Sequence, residues 1–381
     1  MLDFSQLARQ LSEFSTYRAE EEYRRQEQLR QALQQFHALP EPAVVNAHVK
    51  EVNPSWLVAL LREPASRVYP EVARPEKISV VATDGSQIFP DRELEPTCYL
   101  LNIGRVAFHY GTSEPPLMES IPELHYREDE LAVLFDDLNP TLTTELISAL
   151  RDEQELRQLL NTAKDVRKGW PLVALADGTL IRWMLRKMQY RDLEERFIQR
   201  YTALLNGFQE EEIPLCSYIS APASTEVINV LRVFNQEYPG AENKGAISFA
   251  GLTDRRLFEH LLKPGERSAI FESSSHIQRA YGEHAICFFY LYAGAEVARV
   301  EFPRWVADHP VWVDWIHAVL LDQVRKGAGY PVALAEAHEQ AVVRGNDREL
   351  FYLLMERQMR HRGFGGVRLS KKQMAKRIPR A

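Results

Sequence analysis

Val80-Val81-Ala82-Thr83-Asp84-Gly85-Ser86 decides how this chain is read. It is an apolar, β-prone run that stops on Asp-Gly-Ser. Leu172-Val173-Ala174-Leu175-Ala176-Asp177-Gly178-Thr179 repeats the pattern and stops on Asp-Gly-Thr. Each predicts a buried strand carrying a carboxylate at its C-terminal end. A single Asp-Gly after a strand is most simply a hairpin turn. Two, with equally apolar approaches, suggest a shared role. In open α/β sheets ligands sit beyond the carboxyl ends of the strands. Two aspartates delivered there repel each other, and a divalent cation between them relieves that repulsion.

Working outward, residues 1–37 read as one long helix. Leu7, Leu11 and Phe14, then Leu29, Leu33 and Phe36, follow the spacing of one helical face, with a very polar stretch between. Such a charged helix projects from the body, packs on a partner chain, or is a solvated surface helix. Prolines break residues 40–75 into loops and short helices. Strand 78–83 leads to Asp84, and 99–110 alternates enough for one or two strands, with Gly104 as a bend or bulge. Residues 113–126 read as proline-rich loop and 128–168 as a long helical region. Strand 172–176 is followed by a helix from Leu180 to about Leu205, with Ile181, Met184, Leu185 and Met188 on one face. Further strands are expected at 215–220 and as a hairpin over 286–302. Helices are expected from Glu226 and over 309–326, 333–344 and 348–359. Strands alternating with helices, plus the hairpin, predict a mixed α/β sheet.

The composition is that of an ordinary globular protein, with 45% hydrophobic and 26% charged residues. No apolar run approaches a membrane helix, and no signal peptide is visible at the N-terminus. Cys98, Cys216 and Cys287 are far apart and form neither a zinc motif nor a disulfide framework, which fits a reducing cytoplasm. The net charge is −7. Arg357 to Ala381 holds nine Lys and Arg and no Asp or Glu, so residues 1–356 carry −16. A basic tail on an acidic body is an asymmetry that suits local contact with nucleic acid or with an acidic partner. In that tail, Lys371 and Lys372 are the candidate phosphate contacts.

Three motifs together resemble the NurA nuclease family, partners of the HerA translocase in DNA end processing. They are Asp84-Gly85-Ser86, then Asp177-Gly178-Thr179-Leu180, then Tyr330-Pro331-Val332-Ala333-Leu334-Ala335-Glu336-Ala337-His338-Glu339-Gln340-Ala341. Their order spans roughly residues 75–355. The resemblance implies an RNase H-like mixed sheet flanked by helices, elaborated by the long N-terminal helix and a helical insertion at 184–212 or 226–265. It divides the chain into an N-terminal helical region (1–75), a nuclease domain (76–358) and the basic tail (359–381). It also implies 5′-to-3′ exonuclease and single-strand endonuclease activity in double-strand break end resection. The partners implied are DNA, a HerA-type hexameric ATPase and a second copy of the chain.

Phosphodiester hydrolysis of this kind uses two divalent ions, Mn²⁺ or Mg²⁺, held by three or four Asp, Glu or His side chains. Asp84 and Asp177 are the first two. The RNase H-like arrangement adds a glutamate from the helix between their strands. There Leu156, Leu159, Leu160 and Ala163 mark the buried face, Asp152 and Glu155 flank it, and Glu153 points further round. The resemblance favours Glu155, although Arg151 and Glu155 would equally make an ion pair on a solvated face. A lone histidine beside a buried helix face is more often a hydrogen-bonded core or surface residue, but the resemblance, through Ala337-His338-Glu339, implies that His338 is the fourth ligand, with Glu339 behind it. Ser86, Thr179 and Ser224 are candidate contacts to phosphate. Two other readings stay open: an actin- or sugar-kinase-type ATPase on the same core, and a non-catalytic adaptor for a motor ATPase.

Overall fold

The computed structural model describes residues 3–89, 98–127, 143–183, 185, 191–238 and 247–363. They form two compact units interleaved along the chain: residues 74–177, 181–216 and 330–381 in one, and 1–73, 178–180 and 217–329 in the other. No helix among the described residues is long and apolar enough to cross a membrane.

In chain order the strands of the described residues are β1 (Ala59–Leu61), β2 (Val68–Tyr69), β3 (Ile78–Ile88), β4 (Tyr99–Tyr110), β5 (Leu117–His125), β6 (Leu172–Asp177), β7 (Leu215–Ile219), β8 (Arg267–Ser268), β9 (Phe271–Ser273), β10 (Ile286–Tyr292) and β11 (Val297–Pro303), and the first unit carries both motif strands, β3 and β6. β3 (Ile78–Ile88) pairs antiparallel with β4 (Tyr99–Tyr110), and β4 pairs antiparallel with β5 (Leu117–His125). On its other edge β3 pairs parallel with β6 (Leu172–Asp177). The order β5–β4–β3–β6, antiparallel except at β6, is an RNase H-like core. Val80, Val81, Ala82, Val173, Ala174 and Leu175 are fully buried, as central strands covered by helices on both faces require. The helix Thr144–Asp165 covers one face with Leu156, Leu159 and Ala163. Its N-cap is Thr143, whose hydroxyl accepts the Leu146 N–H. The helix Val332–Ala341 covers β3 and β4 from the other face.

Four expectations for this unit need correction. β3 does not stop at Thr83. It runs to Ile88, and Asp84 pairs with Gly104 inside the ladder, so Asp84-Gly85 is not a turn at a strand end. The stretch 113–126 is not all loop, because Leu117–His125 is a strand. Its Pro122 is tolerated because β5 is the edge of the order. Gly104 is not a bulge either. A Cβ there would lie 2.2 Å from the carbonyl oxygen of Ala337, so glycine lets a helix lie directly on the strand. Finally, residues 181–183 after Leu180 are not α-helical, the described helix is Arg191–Glu210, and Met184 and Met188 lie outside the described residues.

The second unit is built on the hairpin β10 (Ile286–Tyr292) and β11 (Val297–Pro303), whose residues are nearly all buried. The long helix Phe4–His37 belongs here. Its second half is anchored by Leu29, Ala32 and Phe36 and by Gln35 donating to the Leu231 carbonyl, while Phe4, Leu11 and Phe14 in its first half are exposed. Arg299 is buried between Glu226 and Glu301, each 2.8 Å away. Asp254, fully buried, accepts the N–H groups of Val227 and Ile228 at the start of the helix Glu226–Phe234, and the Tyr290 hydroxyl at 2.7 Å. That capping comes from a residue distant in sequence, so no local motif announces it.

Candidate active site

The parallel register pairs Ser79 with Leu172 and Ala82 with Leu175. Asp84 and Asp177 each stand two residues beyond that last pair, so the two carboxylates leave adjacent parallel strands at the same level. The Asp-Gly-Ser segment is then gripped from both faces of the sheet, because successive side chains of a strand alternate between faces.

Toward the helix Thr144–Asp165 point Thr83, Gly85 and Gln87. The Thr83 hydroxyl donates to the carbonyl of Glu155 at 2.9 Å. Gly85 has no side chain because the Glu155 carboxylate fills the space, and a Cβ would lie 2.5 Å from its Oε1. Gln87 accepts from Arg151 at 3.0 Å. Toward the helix Val332–Ala341 point Asp84 and Ser86. His338 Nδ1 lies 2.7 Å from Asp84 Oδ2, and Ser86 Oγ donates to the Ala341 carbonyl. A carboxylate only accepts, so His338 Nδ1 is the donor in this contact, and in the neutral form of the ring Nε2 carries the lone pair. The imidazole is 64% exposed and Asp84 19%.

Glu155 stands in a dense field of charge. Burial pushes its carboxyl up to about 8, the neighbouring Asp152 and Asp84 add to this, and Arg151 and Arg182 oppose it. Arg151 Nε lies 3.0 Å from Glu155 Oε1 and donates through another nitrogen to Asp152 at 3.0 Å. Arg182 reaches the other Asp152 oxygen at 3.4 Å. Glu153, which helical spacing places further round from the face marked by Leu156 and Leu159, does not point to solvent. It is buried, and Arg200 of the helix Arg191–Glu210 lies 2.7 Å from it. Glu155, not Glu153, is therefore the helix carboxylate beside Asp84.

Asp177 is exposed, and its Oδ1 accepts the Tyr330 hydroxyl at 2.8 Å. Sequence reasoning did not single out Tyr330, which opens the third motif. The signal was its place eight residues before His338, so that one segment supplies a partner to each aspartate. The candidate hydroxyls are engaged within the protein: Ser86 as above, Thr179 donating to Glu301 at 2.9 Å, and Ser224 with the Tyr290 hydroxyl at 2.7 Å. Lys371 and Lys372 lie outside the described residues.

Among the described residues, no three His, Cys, Asp or Glu side chains are already gathered as a metal-binding group. The reason is geometric: Glu155 approaches the strand from the face opposite to Asp84 and His338, and Asp177 is turned to Tyr330. The donor chemistry nonetheless suits a hard divalent ion, with three carboxylates and one imidazole along two adjacent strand segments. Burial first, and then the neighbouring Asp152 and Asp84, raise the Glu155 carboxyl, and a cation bound beside it would act in the opposite direction.

An RNase H-like strand order with acidic groups along its two central parallel strands defines the class. The NurA domain model matches residues 78–343, and the chain belongs to that family. The crystal structure of the NurA nuclease from Sulfolobus solfataricus is similar, with 15% identity, 77% of this chain and 87% of that chain covered, and a TM-score of 0.50. A second crystal structure of NurA is 12% identical, covers 75% of this chain and 90% of that one, and has a TM-score of 0.36. LC9-RNase H1, a type 1 RNase H, is 12% identical over 50% of this chain and 88% of its own, with a TM-score of 0.22. No curated protein matches the chain.

Proposed function

We propose that this protein is a metal-dependent deoxyribonuclease with 5′-to-3′ exonuclease and single-strand endonuclease activity. In this reading it works in double-strand break end resection as a homodimer beside a HerA-type hexameric ATPase. One observation carries the reading: Asp84 and Asp177 leave neighbouring parallel strands at one level, with Glu155 and His338 packed against the same strand segment. Family membership and the similarity to the Sulfolobus solfataricus nuclease support it.

Asp84, Glu155, Asp177 and His338 would hold Mn²⁺ or Mg²⁺. When bound, a pair of such ions activates water and neutralises the charge on a leaving oxygen. The chain's own groups do the rest. Asp84 fixes the ring of His338 and leaves Nε2 as an acceptor for a proton or a ligand. The Tyr330 hydroxyl fixes the rotamer of Asp177. The exposed apolar residues of the N-terminal helix suit a protein partner, and the cysteines, all unpaired, suit a reducing cytoplasm.

The test is cleavage of end-labelled single-stranded and blunt duplex DNA with and without Mn²⁺ or Mg²⁺. Asp84→Asn and Asp177→Asn are each expected to abolish cleavage. In metal-free buffer each leaves thermal stability unchanged or raised, since a repelling charge is gone. Wild-type turnover by either variant overturns the reading.

A further inference from the structure

The Arg151 guanidinium has side-chain oxygens on three sides. Its two terminal nitrogens donate, one to Asp152 Oδ1 and the other to Gln87 Oε1, each at 3.0 Å, while Nε lies 3.0 Å from Glu155 Oε1 as an ion-pair contact without hydrogen-bond geometry. Its stem packs where Gly85 has no side chain, with Cγ 2.8 Å from the position of a Cβ. Asp152 is held in turn by Arg182. This is more than a solvated helix pair. Both members of the Arg151–Glu155 pair are largely covered, and the guanidinium is tied to the strand that carries Asp84. Burial opposes its charge, yet Glu155, Asp152 and Asp84 together hold its pKa above the ordinary value. Among the described residues, Arg151 and Arg182 are the guanidinium groups that oppose the raised Glu155 carboxyl.

We propose that Arg151 is the resident counter-cation of Glu155, which a divalent ion must displace, and that its displaced guanidinium edge then binds a phosphate of the DNA. The inference rests on the nuclease reading and assigns a role to a residue which that reading leaves unused. Its physical basis is competition. Glu155 Oε1 cannot keep its approach to Arg151 Nε and also serve a hard cation at full strength. A guanidinium freed on one edge presents a planar, always charged donor suited to phosphate oxygens. Cation binding and phosphate binding are then coupled, each favouring the other.

The experiment uses the full chain and two variants, Arg151→Gln and Arg151→Lys. Mg²⁺ affinity is measured calorimetrically at pH 9, where the carboxylates are ionised. Affinity for a phosphorothioate single-stranded oligonucleotide, which resists cleavage, is measured with and without Mg²⁺. Arg151→Gln is expected to bind Mg²⁺ roughly two- to fivefold more tightly, the scale of a part-exposed ion pair removed from competition. It is also expected to lose the Mg²⁺-dependent gain in DNA affinity that the wild type shows. Arg151→Lys, which keeps the charge without the planar fork, is expected to fall between them and serves as the test should Arg151→Gln fail to fold. A purely structural arginine predicts equal or weaker Mg²⁺ binding in a folded variant, and that result overturns the proposal. A wild type that binds no Mg²⁺ removes the nuclease reading first, and this inference with it.

Discussion

Gly104 lies so close under Ala337 that a methyl group on its α-carbon would sit 2.2 Å from the Ala337 carbonyl oxygen and 2.6 Å from the Ala341 nitrogen. Both obstacles are backbone, so no rotamer change relieves them. Gly104 is also the residue paired with Asp84, and Ala337 is the neighbour of His338. The contact therefore fixes how deeply the helix Val332–Ala341 seats, and with it the distance between imidazole and carboxylate. Gly104→Ala is expected to lower stability by about 1–3 kcal/mol in chemical denaturation, the range for overpacking a filled site. It should also depress cleavage while leaving the β3–β4 pairing intact.

Tyr330→Phe removes one hydroxyl from an exposed pair. Its effect on folding should be small, within about 0.5 kcal/mol. Its effect on turnover should be larger, because Asp177 loses the donor that sets its orientation. A kcat roughly tenfold lower with little change in KM is expected, the pattern of an interaction that matters at the reacting centre. Equal turnover of the two proteins would leave the hydroxyl as a surface contact.

His338→Ala should lower cleavage in both metals and weaken the preference for Mn²⁺ over Mg²⁺, since imidazole is the better ligand for Mn²⁺. Comparing the two metal-response curves decides this. Superimposable curves for variant and wild type would make His338 a structural partner of Asp84 only.

Asp254 gives a pH dependence in the other unit. Burial pushes its carboxyl up to about 6 from an ordinary 3.8, against the pull of the Tyr290 hydroxyl and the N–H groups of Ile228 and Val227. The folded state thus holds this proton more tightly than the unfolded state does. The stability it contributes is fully present below about pH 3.8 and is lost as pH rises through about 6. Asp254→Asn lacks that slope. The stability difference between wild type and variant should therefore shift against the wild type by on the order of 3 kcal/mol between pH 4 and pH 7. Denaturation curves at those two pH values measure it, and a pH-independent difference would contradict the assignment.

Much of this fold can be read from the residues, but for different reasons in different places. The strands around Val80 and Val173 and the hairpin over 286–302 are announced by apolar runs that only buried strands explain. Asp84 and Asp177 stand out as a pair, yet the apolar run alone predicts that the first strand ends at Asp84. The segment after Asp84 remains strand because β4 pairs with it through Ile88. Leu117–His125 is hidden by its prolines, whose cost disappears only at the edge of a sheet, and edges are not visible in a sequence. Glu153 and Glu155 cannot be ranked from helical spacing, since Arg200, forty-seven residues away, is what draws Glu153 inward. Tyr330 was passed over for the same reason: its hydroxyl's partner is 153 residues away.

Among the described residues, the strand Leu117–His125 ends the order β5–β4–β3–β6 and has no neighbour on its outer flank. A free flank invites a strand from another molecule, the first step toward aggregation. Pro122 stands near the middle of this one, opposite Asn102, and has no N–H to offer. Glu119 and Glu123 on the same strand add like charges that a copy of the chain would have to bring together. The proline that obscures the strand in the sequence thus also keeps the flank from growing.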